Sequence, residues 1–307
     1  MTLLENDPKA TDRAYINLQK DLFWLEPPDL ARKHVEELYS VSRHVLDKKF
    51  KEQCKHDFNA CYAEMYFAST FIDRVNFDVD HPSDKGLDFF LKNLRCWVDV
   101  TTATDGADGH PNSLASQELG VVQSYPEDKV ILRLSNAFTS KAAKIKADIK
   151  KNLIQDDQPI IICISGGGMK EGFPMYAVGG YPQIIKALLP VGDLVLWMDV
   201  NTRKIKSREY KYRQNVKKIS IAGEALIDTE FFLYEEYSYI SAVVYSYANA
   251  GNPINRNKWG CDFFTVHNPK ARNPLPAGFI KCGQEYCVTT SMESFTMEPV
   301  IDHESSR

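Results

Sequence analysis

The stretch GLDFFLKNLRCWVDVTT, residues 86–102, decides the predicted fold. Its branched and aromatic residues favour two short strands, Gly86–Leu91 and Arg95–Thr102, and a tight turn near Asn93 joins them. Helical and strand-like segments lie on both sides of this hairpin. They are a helix at Phe58–Ile72, a strand at Val75–Val79, a helix at Arg133–Leu153 and a strand at Pro159–Ser165. The order of a helix, three strands, a helix and a strand predicts an α+β or mixed α/β core.

The rest of the chain is divided between the two ends of this core. We expect residues 1–55 to form a helical cap, residues 56–190 the α/β core and residues 191–307 a strand-rich extension packed on the core. The stretch Ala103–Asp128 is rich in Gly, Asp, Pro and Ser and predicts a long insertion loop. The strand candidates of the extension are Leu194–Asp199, Lys204–Tyr212, Ala242–Tyr247, Phe263–His267 and Gly278–Val288.

Composition is that of an ordinary globular protein. The chain has 307 residues, of which 44% are hydrophobic and 25% charged, so neither a disordered nor a fibrous class is expected. Its seven cysteines never form a CxxC pair, which argues against a disulfide scaffold and a zinc ribbon. The apolar runs Ile160–Ile164 and Leu194–Met198 are too short to span a bilayer. We expect a cytoplasmic protein with no membrane partner, while the polar tail EPVIDHESSR also allows export as a secreted effector; the oligomeric state stays open.

Three carboxylates stand alone among apolar residues of the predicted core. Glu64 is the only charged residue of the helix FNACYAEMYFASTFI, and Asp88 and Asp99 interrupt the two hairpin strands. A two-residue turn would place Phe90 opposite Trp97 and therefore Asp88 opposite Asp99. Facing carboxylates destabilise a hairpin, and a divalent cation between them would remove that repulsion. The pattern predicts a metal site at both aspartates that Glu64 completes or supports, the alternative being three hydrogen-bonded structural acids.

The same residues carry a resemblance to a known family. A helix with an inward Glu64, a strand with Asp88 and a neighbouring strand with Asp99 two positions before Thr101 resemble the PD-(D/E)XK nuclease superfamily, over about a third of the chain. The resemblance implies metal-dependent cleavage of phosphodiester bonds. It implies that the three acids hold Mg²⁺ or Mn²⁺ and that a lysine stabilises or orients the attacking group.

The lysine of this family pattern is missing from its usual place, where the chain has Thr101. Lys141 on the following helix is the candidate replacement, because it lies at the edge of that helix's apolar stripe and leans toward the core. Lys144 lies farther from the stripe and is expected to be solvated. An alternative for Lys141 is that it only extends along the apolar surface with its amine in water.

Two strongly basic segments lie in a chain whose net charge is −4. Residues 133–151 contain six basic residues and one acid, and residues 202–218 contain eight basic residues and one acid. Such local fields attract a polyanion despite an acidic total, so nucleic acid is a candidate partner. The predicted substrate-binding residues are Thr101, Arg133, Lys204, Lys206, Arg208 and Tyr210.

Two other functions are compatible with these residues. The first is a nuclease-fold binding or effector module without catalysis, which the missing lysine at Thr101 favours. The second is a glycoside hydrolase that uses Asp88 and Asp99 as its carboxylate pair. The glycines Gly166–Gly168 lack the spacing of a phosphate-binding loop and predict a tight turn after a strand.

Overall fold

The computed structural model describes residues 2–23, 25, 27–81, 86–115, 120–122, 124–174, 180–220, 223–290 and 295–300. Its helices are α1 (Arg13–Gln19), α2 (Leu30–Ser42), α3 (Phe50–Cys54), α4 (Phe58–Ser69), α5 (Glu127–Lys150) and α6 (Gln183–Leu188). Its strands are β1 (Val79–Asp80), β2 (Phe89–Leu91), β3 (Cys96–Thr102), β4 (Ile160–Ser165), β5 (Val191–Met198), β6 (Ile205–Tyr212), β7 (Asn215–Ser220), β8 (Gly223–Asp228), β9 (Ala242–Ser246), β10 (Phe264–His267), β11 (Gln284–Thr290) and β12 (Phe295–Val300). The fold is a mixed α and β fold.

One mixed sheet organises the molecule. It contains eight strands in the order β1-β2-β3-β4-β9-β10-β11-β12. Strands β1, β2 and β3 are antiparallel neighbours, and β3, β4 and β9 run parallel. Strand β10 is antiparallel to β9 and parallel to β11, and β12 closes the edge antiparallel to β11. Strands β5 and β6 form a separate hairpin, as do β7 and β8. Strands from the predicted core and from the predicted extension therefore share one sheet.

The hairpin of β2 and β3 has the predicted register. Phe90 lies opposite Trp97, and Leu91 lies opposite Cys96. The connection spans residues 92–95 rather than two residues, and Arg95 adopts a left-handed conformation with φ of 49°. A two-residue and a four-residue loop centred on the same point give the same pairing, so the register survives the difference. Strand β2 begins at Phe89, three residues later than predicted.

Two apolar cores lie on opposite faces of the sheet. The first packs α1 to α4 against one face and includes Val98 and Val100 of β3. The second packs α5 and α6 against the other face and includes Ile160 and Ile162 of β4. Successive side chains of a strand alternate between faces, so Asp99 points away from the valines on either side of it. We call these two sides the α4 face and the α5 face.

Helix α4 forms and stays in place for local reasons. Asp57 caps its start, because the side chain accepts a hydrogen bond from the backbone N–H of Ala60. Its residues are apolar nearly all round, and nine of the twelve are buried, as expected for a helix inside a core. A π-helical turn, Thr70–Arg74, ends it, and the Thr70 hydroxyl donates a hydrogen bond to the carbonyl of Tyr66.

Several predicted elements differ from the structure. Helix α5 begins at Glu127 instead of Arg133, because two acids in its first turn suit the positive end of a helix. The strand predicted at Val75–Val79 shrinks to β1. The strand predicted at Gly278–Val288 begins only at Gln284, after glycines whose positive φ angles make turns. Helix α6 and strands β7, β8 and β12 are not among the predicted elements, because each spans only six residues, too few to establish an apolar period.

A helix that crosses a bilayer must be both long and apolar. None of the helices in the ranges given above meets both conditions.

Candidate functional site

Asp99 and Lys141 form an ion pair beneath α5. Lys141 Nζ lies 2.9 Å from Asp99 Oδ1. The aspartate side chain is fully buried and the lysine side chain is 13% exposed. Asp99 reaches this position because it is on the α5 face of β3, and Lys141 reaches it from the edge of the apolar stripe of α5. The structure thus brings together two of the residues that the sequence predicts for one site.

The second oxygen of Asp99 is bound less closely than the first. Asp99 Oδ2 is buried and has no hydrogen-bond partner in the described ranges of the chain, and Lys144 Nζ is 3.6 Å away from it. The pKa of Asp99 is raised to about 7, first by burial and then by the charge of Asp88, while Lys141 and Lys144 oppose the shift. Burial and a like charge therefore outweigh two nearby ammonium groups. The two ammonium groups therefore do not fully offset the cost of a negative charge on the buried Asp99.

Asp88 lies at the fork where β2 and β3 stop pairing. It immediately precedes β2, and its Oδ2 accepts a hydrogen bond from the backbone N–H of Val100 at 2.6 Å. The side chain thereby takes the place of a ladder partner for Val100. This contact holds the Asp88 carboxylate beside β3, one residue along from Asp99.

Glu64 is half-buried in α4, on the other side of β3 from Lys141. Its pKa is raised to about 8, first by burial and then by the charges of Asp88, Asp47 and Asp99. The charge of Lys141 opposes this shift. The three predicted acids therefore share one electrostatic environment although they come from different elements and different faces of the sheet.

A metal centre requires several ligand side chains that point to one place. Within the described part of the chain, no group of three or more His, Cys, Asp or Glu side chains could hold a metal ion. Glu64 comes from the α4 face and Asp99 points to the α5 face, which explains why the three acids do not meet at one point. Mg²⁺ nevertheless needs only one or two carboxylates, since water and phosphate oxygens complete its shell. Asp99 Oδ2, a buried oxygen without a hydrogen bond, fits such an ion with Asp88 beside it.

Thr101 and Arg133 are the two remaining predicted residues near this end of the sheet. Thr101 is half-buried and follows Asp99 by two positions, so it is on the α5 face. Arg133, on α5, packs so closely on Gly106 that a Cβ added there would lie 2.6 Å from Arg133 Nη1. Its Nε is buried without a hydrogen bond, and burial lowers its pKa. Arg133 is thus a half-buried cation whose Nε has no hydrogen-bond partner among the described residues.

The predicted basic strip lies elsewhere. Lys204, Lys206 and Arg208 are exposed, and Lys206 Nζ pairs with Asp199 at 2.9 Å. Tyr210 packs its ring 4.7 Å from that of Tyr181, which in turn contacts Tyr286 of β11. Strands β4, β9 and β10 separate β11 from β3, a distance of roughly 19 Å at the usual strand spacing. The structure does not bring the strip to the carboxylates.

Two residues near the site were not predicted to belong to it. Lys144 is exposed, as expected, and its Nζ still comes within 3.6 Å of Asp99 Oδ2, because residues three apart lie on adjacent parts of a helix surface. Asp47 raises the pKa of Glu64 from a segment that the sequence placed in the helical cap. The spacing of Lys144 from Lys141 is a signal that sequence reasoning could have used, whereas the approach of Asp47 depends on packing alone.

Comparisons with known proteins add no relative. No family model, no curated protein and no solved structure matches the chain. What can be inferred about function therefore comes from the geometry of the fold and of the site.

Proposed function

We propose that the protein is a metal-dependent phosphodiesterase of the nuclease type, with Asp88, Asp99, Glu64 and Lys141 at its active site. The contact of Lys141 with Asp99 is the observation that carries the proposal. A lysine beside a buried acid, with no hydrogen bond to the second oxygen of that acid among the described residues, supports a site that combines a cation ligand with a fixed positive charge. Thr101 cannot supply this positive charge, and Lys141 can.

The order of elements also supports the proposal. Helix α4, the antiparallel strands β1, β2 and β3, helix α5 and the parallel strand β4 follow one another in the order expected from the PD-(D/E)XK resemblance. In that arrangement the acids of β2 and β3 lie at the fork between the two strands. Asp88 is at this fork, and Asp99 is on the adjacent strand.

The residues of the chain would have distinct tasks. Asp99 Oδ2 and Asp88 would hold Mg²⁺ or Mn²⁺, which when bound supplies Lewis acidity toward water and a phosphate group. Lys141 holds Asp99 Oδ1 in place and keeps a positive charge where a phosphate would arrive. Glu64, whose pKa is raised to about 8, would keep its proton at neutral pH and so add no further negative charge near the two aspartates. Nucleic acid is the substrate class we propose, because α5 carries further basic residues such as Lys146 and Lys150.

A second candidate is a binding module that has lost catalysis. One specific observation favours it: both aspartates are already engaged by the protein, Asp99 Oδ1 by Lys141 and Asp88 Oδ2 by the Val100 N–H. No contact among the described residues favours the glycoside hydrolase that the sequence also allows.

Cleavage and metal binding should be measured on the same preparations. Plasmid DNA and a labelled single-stranded RNA are incubated with the full chain and Mg²⁺, Mn²⁺ or EDTA, and Mg²⁺ and Mn²⁺ are titrated by calorimetry. We expect metal-dependent cleavage in the wild type and a loss of about 100-fold or more in Asp99→Asn and in Lys141→Met. Asp108→Asn, at an exposed acid, is the matched control and should keep full activity.

Two results would contradict the proposal. Unchanged cleavage by a folded Asp99→Asn variant would exclude the mechanism. Absence of any metal heat that depends on Asp88 or Asp99, together with absence of cleavage, would favour the binding module. Thermal unfolding of each variant separates loss of the site from loss of the fold.

A further inference from the structure

The β5–β6 hairpin, residues 191–212, is anchored at one end and exposed at the other. At its base Val191 is buried opposite Tyr212, and the Arg213 N–H donates to the carbonyl of Pro190. The Arg213 side chain also pairs with Asp128 at the start of α5. Beyond Val195 the residues of β5 are exposed, and those of β6 are exposed except Tyr210. A two-stranded ribbon exposed on both faces is marginally stable by itself, so contact with a partner would stabilise its outer half.

The outer half of this hairpin carries large apolar side chains that are exposed to water. Val200 at the turn is 91% exposed and Trp197 is 56% exposed. The large apolar residues exposed here are Leu196, Trp197, Met198, Val200 and Ile205, all within ten positions of the chain. Single exposed apolar residues are common in monomeric proteins, but a cluster at the end of a projecting element marks an interaction surface.

Basic residues surround the same apolar cluster. Arg203, Lys204, Lys206 and Arg208 lie in the turn and the first half of β6. Two acids lie beside them: Asp199 at the turn and Glu209, whose carboxylate accepts a hydrogen bond from Trp197 Nε1. Lys206 pairs with Asp199, which leaves the outer half of the hairpin with a net positive charge. The complementary partner is therefore both anionic and able to receive aliphatic side chains.

We propose that the outer half of the β5–β6 hairpin binds an anionic lipid surface. In this arrangement Val200 and Met198 enter the boundary between headgroups and acyl chains, and Trp197 lies at headgroup level, where indole rings are enriched. Lys204 and Arg208 contact the anionic headgroups. The hairpin lies on the membrane and does not cross it, so the absence of a spanning helix among the described residues does not bear on this contact.

A lipid surface explains the composition of the tip better than nucleic acid does. A nucleic-acid strip combines basic residues with aromatic rings on which bases stack. Here the most exposed apolar side chain is an aliphatic valine at the turn, which a phosphate backbone would leave in water. The hairpin forms a sheet of its own, apart from the eight-stranded sheet that carries Asp99, so the proposal stands whether or not the site cleaves phosphodiesters.

Vesicle flotation tests the proposal directly. The full chain is mixed with vesicles of phosphatidylcholine alone, or of phosphatidylcholine and phosphatidylserine at roughly 70:30, at low and at high salt. We expect the wild type to float with the anionic vesicles only, and less at high salt. We expect Val200→Asp, and separately the pair Lys204→Glu and Arg208→Glu, to reduce the bound fraction about tenfold.

A second hairpin offers a matched control. Leu226 on β8 is exposed to a similar degree as Trp197, at 64%. Leu226→Asp should leave vesicle binding unchanged, and equal losses in Leu226→Asp and Val200→Asp would overturn the assignment to the β5–β6 hairpin. Tryptophan emission should move to shorter wavelength with anionic vesicles, and Trp197→Phe should remove most of that shift while the other tryptophans remain.

Other occupants of the hairpin would give different results. Failure of the wild type to float, with binding to single-stranded oligonucleotides that Lys204→Glu and Arg208→Glu abolish, would replace the lipid proposal with nucleic-acid binding. A dimer in solution that Val200→Asp converts to monomer, again without flotation, would identify a second copy of the chain as the partner. Because these side chains are exposed, thermal unfolding of the variants should match that of the wild type.

Discussion

Lys141 Nζ and Asp99 Oδ1 are 2.9 Å apart although the two residues are separated by 42 positions in the sequence. The pair closes the α5 face of the sheet over a carboxylate that has no access to bulk water. Its lysine is placed by the period of α5, and its aspartate by the alternation of β3. The ion pair is therefore a point where two local patterns meet, and it governs both the proposed chemistry and the stability of the core.

Removing the lysine should destabilise the protein strongly. Lys141→Met leaves Asp99 buried beside an apolar side chain, and breaking a buried pair costs about 3–5 kcal/mol. We expect a loss of about 3 kcal/mol in the free energy of unfolding at pH 8, measured by urea denaturation. The double variant Lys141→Met with Asp99→Asn should recover much of this loss, because no uncompensated charge remains. Lys146→Met, at an exposed pair with Glu236, should change stability by less than about 0.5 kcal/mol.

Stability should fall as the pH rises from about 5 to about 8. In the unfolded chain Asp99 and Glu64 lose their protons near pH 4, whereas burial raises their folded pKa values to about 7 and about 8. Between these limits the folded state holds protons that the unfolded state has released, so the free energy of unfolding decreases with pH. Melting temperatures measured across this range test the sign.

Glu64→Gln isolates one of the two carboxyl groups. The variant should flatten the fall in melting temperature and raise the melting temperature at pH 8, since the amide cannot ionise. Glu224→Gln, on exposed β8, should leave the slope as it is in the wild type. A stability profile that rises between pH 5 and pH 8 would contradict the environments described for both acids.

A second buried acid depends on hydrogen bonds instead of a cation. Asp262 accepts from the hydroxyls of Tyr66 at 2.6 Å and Ser246 at 2.5 Å, and burial raises its pKa. Tyr66→Phe removes one donor and should cost about 1–3 kcal/mol. Tyr234→Phe is the control, because this ring is 37% exposed and its hydroxyl donates to Asp228 and Glu230, and it should cost less. Chemical denaturation of both variants measures the difference, and equal losses would argue against a stabilising role for the Tyr66 hydroxyl.

The first two glycines after β4, Gly166 and Gly167, pack closely against β9 and the residues that follow it. A Cβ on Gly167 would lie 2.1 Å from the carbonyl oxygen of Ala248, a backbone atom. Gly167→Ala should therefore cost about 1–3 kcal/mol. Gly168→Ala would approach only the Asn59 side chain, at 3.2 Å, and should be tolerated. Thermal unfolding compares the two, and similar melting temperatures would show that the backbone contact is not tight.

Local sequence patterns account for most of the core. The register of β2 with β3, the burial of α4 and the orientation of Lys141 follow from the residues within each element. The predicted first residues of two elements were wrong. Turn glycines delay the start of β11 to Gln284, and the helix dipole favours a start of α5 at Glu127. Strands β7 and β8 are exposed on much of their surface, so apolar and polar residues do not alternate along them and no apolar pattern predicts them.

By itself, the sequence determined that Asp99 points away from its two valine neighbours and that Lys141 leans toward the core, because strand and helix periods set the direction of each side chain. Only the tertiary structure decided which residues meet. It joined β9 to β12 onto the same sheet, put Glu64 and Asp99 on opposite faces of β3, brought Lys144 within 3.6 Å of Asp99 and left the basic strip on a projecting hairpin. The physical reason is that side-chain direction is a property of a few consecutive residues, whereas strand order and helix placement depend on how distant apolar surfaces pack together.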